Sequence, residues 1–271
     1  ASLTAAESSA AGSFPPGAAG RGRSPAGRLV QVIGAREEEH NVNSKNISHW
    51  IRAGLWALPV SALVTAWSAL EPQPDQEKDP DAWARFVSSG PYQLSHIFGS
   101  TAGTVLAIFG VFALGCCLAN SRVGRLALAA MVTAVAGTAL LLVPAAISTF
   151  ATPAIGRAYL AGHPDVMQLE LPGSMTGAFL LGLLLAFVGN VLLGVAAWHS
   201  HVLPRWAGAL WVAGAVVFYV LGVVLGQAMT GSSLPTQTAG ALLMAVGGGW
   251  IAWSGSRETT PAPDLTAAGT A

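Results

Sequence analysis

Apolar residues occur along this chain in long continuous runs rather than in the alternating patterns that are typical of soluble proteins. Six runs cover approximately residues 51–70, 95–119, 124–148, 174–198, 205–227 and 234–254. Each run is close to the ~20 residues that a helix needs to cross a bilayer core of about 30 Å. None of them carries Asp, Glu, Lys or Arg beyond its first or last turn, so none places a charge at the membrane centre. The pattern predicts an all-α polytopic membrane protein with six transmembrane helices.

The polar segment after the first run contains the signals of a short additional helix. Asp79 is followed by Pro80, a combination that favours an N-cap with proline at the first helical position. Trp83, Phe86 and Val87 then share one face at i, i+3 and i+4. We expect this helix to lie in the outer membrane interface.

The two ends of the chain differ from the apolar centre. Residues 1–41 are rich in Ala, Gly, Ser, Pro and Arg and have no apolar period, so they are predicted to be disordered. They fit either a cytosolic tail or a translated leader before a start at Val42, since the codons for Arg36 and the three glutamates after it can resemble a ribosome-binding site. Residues 42–254 then form the transmembrane domain, and residues 255–271 form a disordered cytoplasmic tail.

The composition narrows the class of protein further. The chain is 52% hydrophobic and 10% charged with a mean hydropathy of +0.55, whereas soluble domains carry about 25% charged residues. These values exclude an ordinary soluble enzyme and a fully disordered chain. Thirteen basic and thirteen acidic residues cancel, and no cluster of basic residues is available to neutralise phosphates, so nucleic acid is not expected as a partner.

The distribution of basic residues predicts the orientation in the membrane. With both termini inside, ten of the thirteen Lys and Arg residues lie on the cytoplasmic side and three lie outside. Without residues 1–41, six basic residues lie inside and three lie outside. The positive-inside rule therefore predicts cytoplasmic N- and C-termini.

A shift of 74 residues superimposes the glycines of the second span on those of the fourth. This predicts an internal hairpin repeat that relates spans 2–3 to spans 4–5. Small residues at i and i+4 let helices approach closely in lipid, and homodimerisation through one exposed pair is the alternative use. The glycine pairs expected at helix contacts are Gly99/Gly103, Gly173/Gly177 and Gly222/Gly226.

The same shift pairs His96 with Glu170, each three residues before its glycine pair. Both are predicted at the outer rim, on the same side of the membrane as His163, Asp165 and Gln237. Together these side chains could bind a cation or a polar headgroup, although a His–Glu pair alone is weak evidence for metal. The alternative is that they are ordinary water-exposed residues at helix ends.

The sequence favours a non-enzymatic structural, accessory or sensing component, and it predicts no cofactor. No ionisable residue lies deep within a span, which disfavours proton pumps and ion-coupled carriers. Asn190 is expected to hydrogen-bond across to a neighbouring helix. A small-molecule or lipid transporter is the first alternative, and it predicts a polar cavity lined by residues such as Asn190, Thr104 and Thr138. A membrane enzyme or metal protein that uses His96 and Glu170 is the second alternative.

Two short motifs carry a resemblance to a known group of proteins. They are the inner turn 202–208, Val-Leu-Pro-Arg-Trp-Ala-Gly, and residues 96–100, His-Ile-Phe-Gly-Ser, at the second span. Over residues 92–254 the chain resembles uncharacterised multi-pass membrane proteins of high-GC Gram-positive bacteria. The resemblance implies a bacterial cytoplasmic membrane. The apolar runs and the glycine pairs make the lipid bilayer and either a homo-oligomer or another membrane protein the expected partners.

Overall fold

The computed structural model describes residues 48–70, 73–168, 172–230 and 234–257. Of these residues 87% are helical and none belongs to a strand. The chain divides into two units, Ala1–Asn46 and Ile47–Ala271, and every described residue belongs to the second unit. The predictions for residues 1–41 and for the tail after Arg257 lie outside the described residues.

The helices of the described residues are labelled in chain order. They are α1 (Ala57–Ser68), α2 (Pro80–Val87), α3 (Gly90–Leu118), α4 (Gly124–Leu160), α5 (Gly173–Ser200), α6 (Arg205–Met229) and α7 (Thr236–Arg257). Residues 48–55 are also helical, and a turn at Trp56 separates them from α1. The interruption has a local cause, because Pro59 has no N–H to donate to the Leu55 carbonyl one turn earlier.

Four helices, α3 to α6, are long and apolar enough to cross a membrane. α1 has only 12 residues after the turn at Trp56, while α7 has 22 residues but is less apolar because of its glycines and serines. The prediction of an all-α membrane protein is therefore confirmed. Membrane crossing by α1 and α7 stays a prediction.

The long helices form a closed ring in which consecutive long helices pack together. α1 packs on α3, each of α3 to α6 packs on the next helix, and α7 returns to pack on both α6 and α1. The short turns 119–123 and 201–204 lie at one end of the ring, which we call the short-turn end. The segments that contain α2 and residues 161–168 lie at the other end, the long-loop end.

Glycines allow the closest helix contact, which is between α4 and α5. A Cβ added to Gly137 would overlap the backbone of Ala186, and a Cβ added to Gly189 would overlap the backbone of Ala134. Because lipid provides no hydrophobic drive for helix association, such close backbone approach is a main source of packing energy in a membrane.

The predicted glycine pairs divide into two groups. Gly99 and Gly103 pack against α1, and Gly222 and Gly226 are buried, with Gly222 against α7. Gly173 and Gly177 do not make the expected contact within the described residues, because both are exposed and no described atom lies within 4 Å of an added Cβ. No described helix therefore packs on these two glycines. Homodimerisation through this pair and the internal repeat both stay predictions.

The capping signals before α2 are confirmed. Asp79 accepts a hydrogen bond from the Ala82 N–H at 2.9 Å, and Pro80 is the first helical residue. The apolar face of α2 packs on protein, because Trp83 and Val87 contact the end of α4, and its place in the outer interface stays a prediction. α4 has 37 residues, or about 55 Å, which is longer than a ~30 Å bilayer core, and its last turns provide that surface.

Two π-helical segments meet at the long-loop end of the ring. They are His96–Ala102 in α3 and Ile147–Ala151 in α4. The Oγ1 atoms of Thr101 and Thr149 lie 2.8 Å apart, and the Thr149 side chain is fully buried. Thr149 also lies within hydrogen-bonding distance of the His96 carbonyl, at 3.1 Å. Polar contacts therefore join α3 and α4 where both helices depart from regular α geometry.

Candidate functional site

A cavity of about 130 Å³ lies inside the ring and is lined by residues of all six long helices. Thr104, Thr138 and Asn190 are among them, and these are the residues that the sequence placed around a cavity within the membrane. Representative residues from α1 to α7 are Thr65, Thr104, Thr138, Asn190, Tyr219 and Met244. The interior of the bundle therefore has a mixed apolar and polar lining.

Three hydroxyl groups of the cavity already use their hydrogens. Thr138 donates to the carbonyl oxygen four residues earlier at 2.7 Å, and Ser61 donates to the carbonyl three residues earlier at 2.9 Å. Thr104 also donates to the carbonyl four residues earlier. Each of these hydroxyl oxygens keeps its capacity to accept a hydrogen bond. These three hydroxyls thus offer acceptors to the cavity and no donors, and the hydroxyl-bearing Tyr219 lines the cavity beside them.

Asn190 does not bond to a neighbouring helix as expected. Its Nδ2 donates to the Ala186 carbonyl of its own helix at 2.8 Å, and the side chain is only 3% exposed. The carbonyl of the preceding turn is the acceptor that a side chain facing a cavity can reach. An amide has two N–H donors and one carbonyl acceptor, so Asn190 retains hydrogen-bonding capacity at the cavity.

Trp211 of α6 also lines the cavity, and it has a buried polar atom without a partner. The residue is 2% exposed, and within the described part of the chain its Nε1 makes no hydrogen bond. The indole packs against the glycine face of α7, where a Cβ on Gly248 would lie 3.0 Å from its ring carbon Cζ3. Buried donors are rarely left without an acceptor, so this N–H is an exception within the described residues.

The cavity is closed toward the short-turn end. Fully buried side chains fill the bundle there, including Leu114 and Leu118 of α3, Leu193 of α5 and Ile251 of α7. These residues belong to one continuous core cluster that extends from the cavity to the short turns.

A larger opening of about 880 Å³, which we call the vestibule, lies at the long-loop end. It is lined by the end of α1, the start of α3 and the start of α7. Residues 241 and 244 of α7 line the cavity and residues 234–242 line the vestibule, so the two openings follow one another along the same helices. The bundle is therefore open at the long-loop end and closed at the other end.

His96 lines the vestibule in a fixed orientation. Its ring stacks on Tyr92 with centroids 3.8 Å apart, and its Nδ1 lies 2.9 Å from the Tyr92 carbonyl oxygen. Tyr92 in turn contacts the ring of Phe86 edge to face at 5.5 Å. Gln237 lines the opposite side of the vestibule, on α7, and its Oε1 is buried without a hydrogen-bond partner among the described residues.

The predicted outer polar group is only partly assembled. His96 and Gln237 both line the vestibule, whereas His163 and Asp165 are exposed and do not line it. Glu170 lies outside the described residues, so the His96–Glu170 pair stays a prediction. Among residues 48–70, 73–168, 172–230 and 234–257, no three His, Cys, Asp or Glu side chains are grouped to hold a metal ion.

Trp211 and Tyr219 are among the cavity residues that sequence reasoning missed. Both lie in an almost continuous apolar run, where the hydrophobic pattern does not indicate which face of the helix points into the bundle. One signal was available in the sequence. A tryptophan within a span cannot place its N–H in the membrane interface, whereas a tryptophan at a helix end can.

The chain matches no protein-family model, no curated protein and no solved structure. Its function is therefore inferred from the cavity, the vestibule and the distribution of charge.

Proposed function

We propose that this chain is a non-enzymatic sensing or accessory protein of a bacterial cytoplasmic membrane that binds a small molecule inside its helical ring. The observation that carries the proposal is the cavity lined by all six long helices. Ligand sites are commonly found between the helices of bundles, with a mainly apolar lining and a few polar groups. A purely structural bundle would gain more packing energy from a filled interior.

In this proposal α1 and α7 cross the membrane together with α3 to α6. They supply the polar Ser61 and Thr65 and the apolar Met244 to the lining, and α7 packs on both α1 and α6. If they did not cross, polar residues of the cavity would face lipid, which is costly. An enzymatic reporter fused after Arg257 should be active only on the cytoplasmic side. Activity on the outer side would contradict an even number of spans.

The short-turn end is proposed to face the cytoplasm. Arg122, Arg125, Arg205 and Arg257 lie at or beside this end, in agreement with the positive-inside rule. The resemblance to membrane proteins of Gram-positive bacteria supports a location in a bacterial cytoplasmic membrane. The vestibule then opens to the outside. Cysteines introduced at His163 and at Arg122 should react with a membrane-impermeant reagent from the outside and the inside of cells, respectively.

Binding is tested with purified protein in detergent and a panel of small neutral compounds, by measuring the shift of the thermal unfolding midpoint. Ala107→Leu, which fills the cavity, should abolish the shift, whereas Ala139→Leu, at an exposed position of α4, should retain it. A panel in which no compound stabilises the protein would contradict the proposal.

Transport is a second candidate function, favoured by the vestibule at the long-loop end and the filled core at the short-turn end. This is the arrangement of one state of an alternating-access carrier. Transport requires the core at the short-turn end to open, so a cysteine at Leu114 should become reactive from the cytoplasmic side when the ligand is added. A static receptor would keep that position unreactive.

A further inference from the structure

We propose that the short-turn end binds anionic phospholipids and that Arg122, Arg125 and Arg205 contact their phosphate groups. This surface lies outside the cavity and the vestibule, and its role does not depend on a ligand inside the ring. Three observations carry the inference, namely the distribution of charge, the way in which Arg122 is held, and the exposed apolar side chains next to the arginines.

The described residues at the two ends of the bundle differ in charge. Arg122, Arg125 and Arg205 are exposed at the short-turn end, and within the described part of the chain no ion pair involves them. The acidic residues that the structure describes all belong to the segments of the long-loop end, and they are Asp75, Glu77, Asp79, Asp81 and Asp165. A basic surface without acidic neighbours attracts an anionic partner.

Arg122 is held between two helices by one of its nitrogens. Its Nε donates a hydrogen bond of 2.8 Å to the His199 carbonyl oxygen in the last turn of α5. This carbonyl is one of those that a helix leaves without a partner at its C-terminal end. A guanidinium has five N–H donors, so the N–H groups of both Nη atoms remain. Such a planar group matches two oxygens of a phosphate, and the hydrogen bond to His199 fixes its position in advance.

Arg205 lies beside the same turn of α5. Trp206, which follows it in the chain, packs edge to face on Trp198 with ring centroids 5.3 Å apart, and Trp198 directly precedes His199. Arg205 is the first residue of α6, and Arg125 lies in the first turn of α4. The starts of α4 and α6 are therefore both next to the last turn of α5, so the arginines of two turns belong to one surface.

Exposed apolar side chains continue from the arginines toward the middle of the helices. Leu128 and Val132 follow Arg125 at i+3 and i+7, so they share its helix face, and they are 41% and 62% exposed. Trp206 is 62% exposed beside Arg205, and an indole at a helix end is typical of the membrane interface. A phospholipid contacts both the arginines and the apolar side chains, whereas a soluble anion contacts the arginines alone. The surface therefore fits an anionic phospholipid.

The test compares two phospholipids that have the same acyl chains but differ in net charge, dioleoyl phosphatidylglycerol and dioleoyl phosphatidylcholine. Each is titrated into the full chain in a nonionic detergent, and the thermal unfolding midpoint is measured against the mole fraction of lipid. The anionic phosphatidylglycerol should raise the midpoint at a lower mole fraction than the zwitterionic phosphatidylcholine. This preference should weaken as the salt concentration rises, because salt screens exposed charges. Inorganic phosphate at the same ionic strength should leave the midpoint unchanged.

A triple variant with Arg122→Gln, Arg125→Gln and Arg205→Gln removes the positive charges of this surface. Each basic residue near an anionic lipid surface strengthens binding by a factor of about five. The mole fraction of phosphatidylglycerol at half of the maximal shift should therefore rise by at least about tenfold.

The matched control removes as many positive charges from the long-loop end. It combines Lys78→Gln, Arg85→Gln and Arg157→Gln, and it should keep the preference for phosphatidylglycerol. Loss of the hydrogen bond to His199 could prevent the first variant from folding. In that case Arg125→Gln with Arg205→Gln replaces it, because neither side chain makes a hydrogen bond within the described residues. The expected rise is then about fivefold or more.

Three results would overturn the inference. The first is an equal effect of the two lipids on the unmodified protein, and the second is an equal loss of preference in the short-turn variant and its control. The third is an inorganic phosphate effect as large as that of phosphatidylglycerol, which would indicate an ion site without a lipid. None of these results bears on ligand binding in the cavity, because that is measured separately with Ala107→Leu.

Discussion

At the scale of single residues, polar side chains in this chain mainly satisfy the backbone of their own helix. Asn190 and Thr138 bond to carbonyls of the preceding turn, although the sequence predicted that Asn190 would join two helices. The pattern of apolar and polar residues cannot distinguish a hydrogen bond within one helix from a hydrogen bond between two helices, because both place a polar side chain on an inward face. Trp211 shows the reverse case, in which an apolar position carries the unsatisfied donor.

Thr149 is the residue whose hydroxyl most clearly joins two helices, and it gives the first prediction. Thr149→Val keeps the shape of this buried side chain but leaves the Thr101 hydroxyl without its partner at 2.8 Å. Hydrogen bonds between membrane helices contribute about 1 kcal/mol, so the free energy of unfolding in detergent should fall by about that amount. Thr133→Val, whose hydroxyl bonds only to its own helix, is the control, and an equal loss in both variants would refute the role of Thr149.

Asp75 gives a prediction about pH in the loop before α2. Its carboxylate accepts a hydrogen bond from Lys78 Nζ at 2.7 Å, and this contact lowers the pKa of Asp75 below its ordinary value of 3.8. The stabilising effect is therefore present above pH 3.8 and is lost as the pH falls through the lowered pKa. Lys78→Met should raise the pKa of Asp75, as measured by carboxyl ¹³C NMR, whereas Glu77→Gln should change it much less.

At the scale of helices, the sequence predicted where the elements occur better than how they pack. The N-cap at Asp79 and the proline after it fixed the start of α2, because capping depends on neighbouring residues. The packing of Trp83 on α4 was not predicted, since it depends on the tertiary arrangement of the two helices and not on neighbouring residues. Glycine pairs likewise mark positions where close contact is allowed, and the crossing of the helices decides which pairs are used.

Two glycine variants of α4 and α5 test whether a glycine at a helix contact matters more for stability than an exposed glycine. Gly137→Ala places a Cβ into the backbone of Ala186, so the helices must separate and the unfolding free energy should fall by about 2 kcal/mol. Gly177→Ala meets no atom within 4 Å and should leave the thermal midpoint unchanged or slightly higher, because alanine favours helix. If purified Gly177→Ala instead lost a dimer seen by light scattering, the exposed pair would be an interface between copies.

At the scale of the whole molecule, the ring gives the chain its cavity. Consecutive long helices pack side by side, and the return of α7 to α1 encloses a space that no pair of helices could form alone. The sequence predicted six apolar runs and the polar residues Thr104, Thr138 and Asn190 in their middle. It could not predict closure of the ring, because the contact of α7 with α1 joins the first and the last of the long helices and leaves no periodic signal.

The closure of the ring is tested at two adjacent glycines of α7. A Cβ at Gly248 would lie 3.0 Å from the side chains of both Leu58 and Trp211, whereas a Cβ at Gly249 would meet only Pro59 at 3.8 Å. Both Gly→Ala changes gain the same helix propensity, about 1 kcal/mol, so the difference between them reports steric fit alone. Gly248→Ala should lower the unfolding free energy by about 1–2 kcal/mol relative to Gly249→Ala. It should also weaken the binding of small neutral compounds, because the ring of Trp211, which lines the cavity, must move. Equal stability and equal binding in the two variants would show that α7 does not close the ring against α1 and α6.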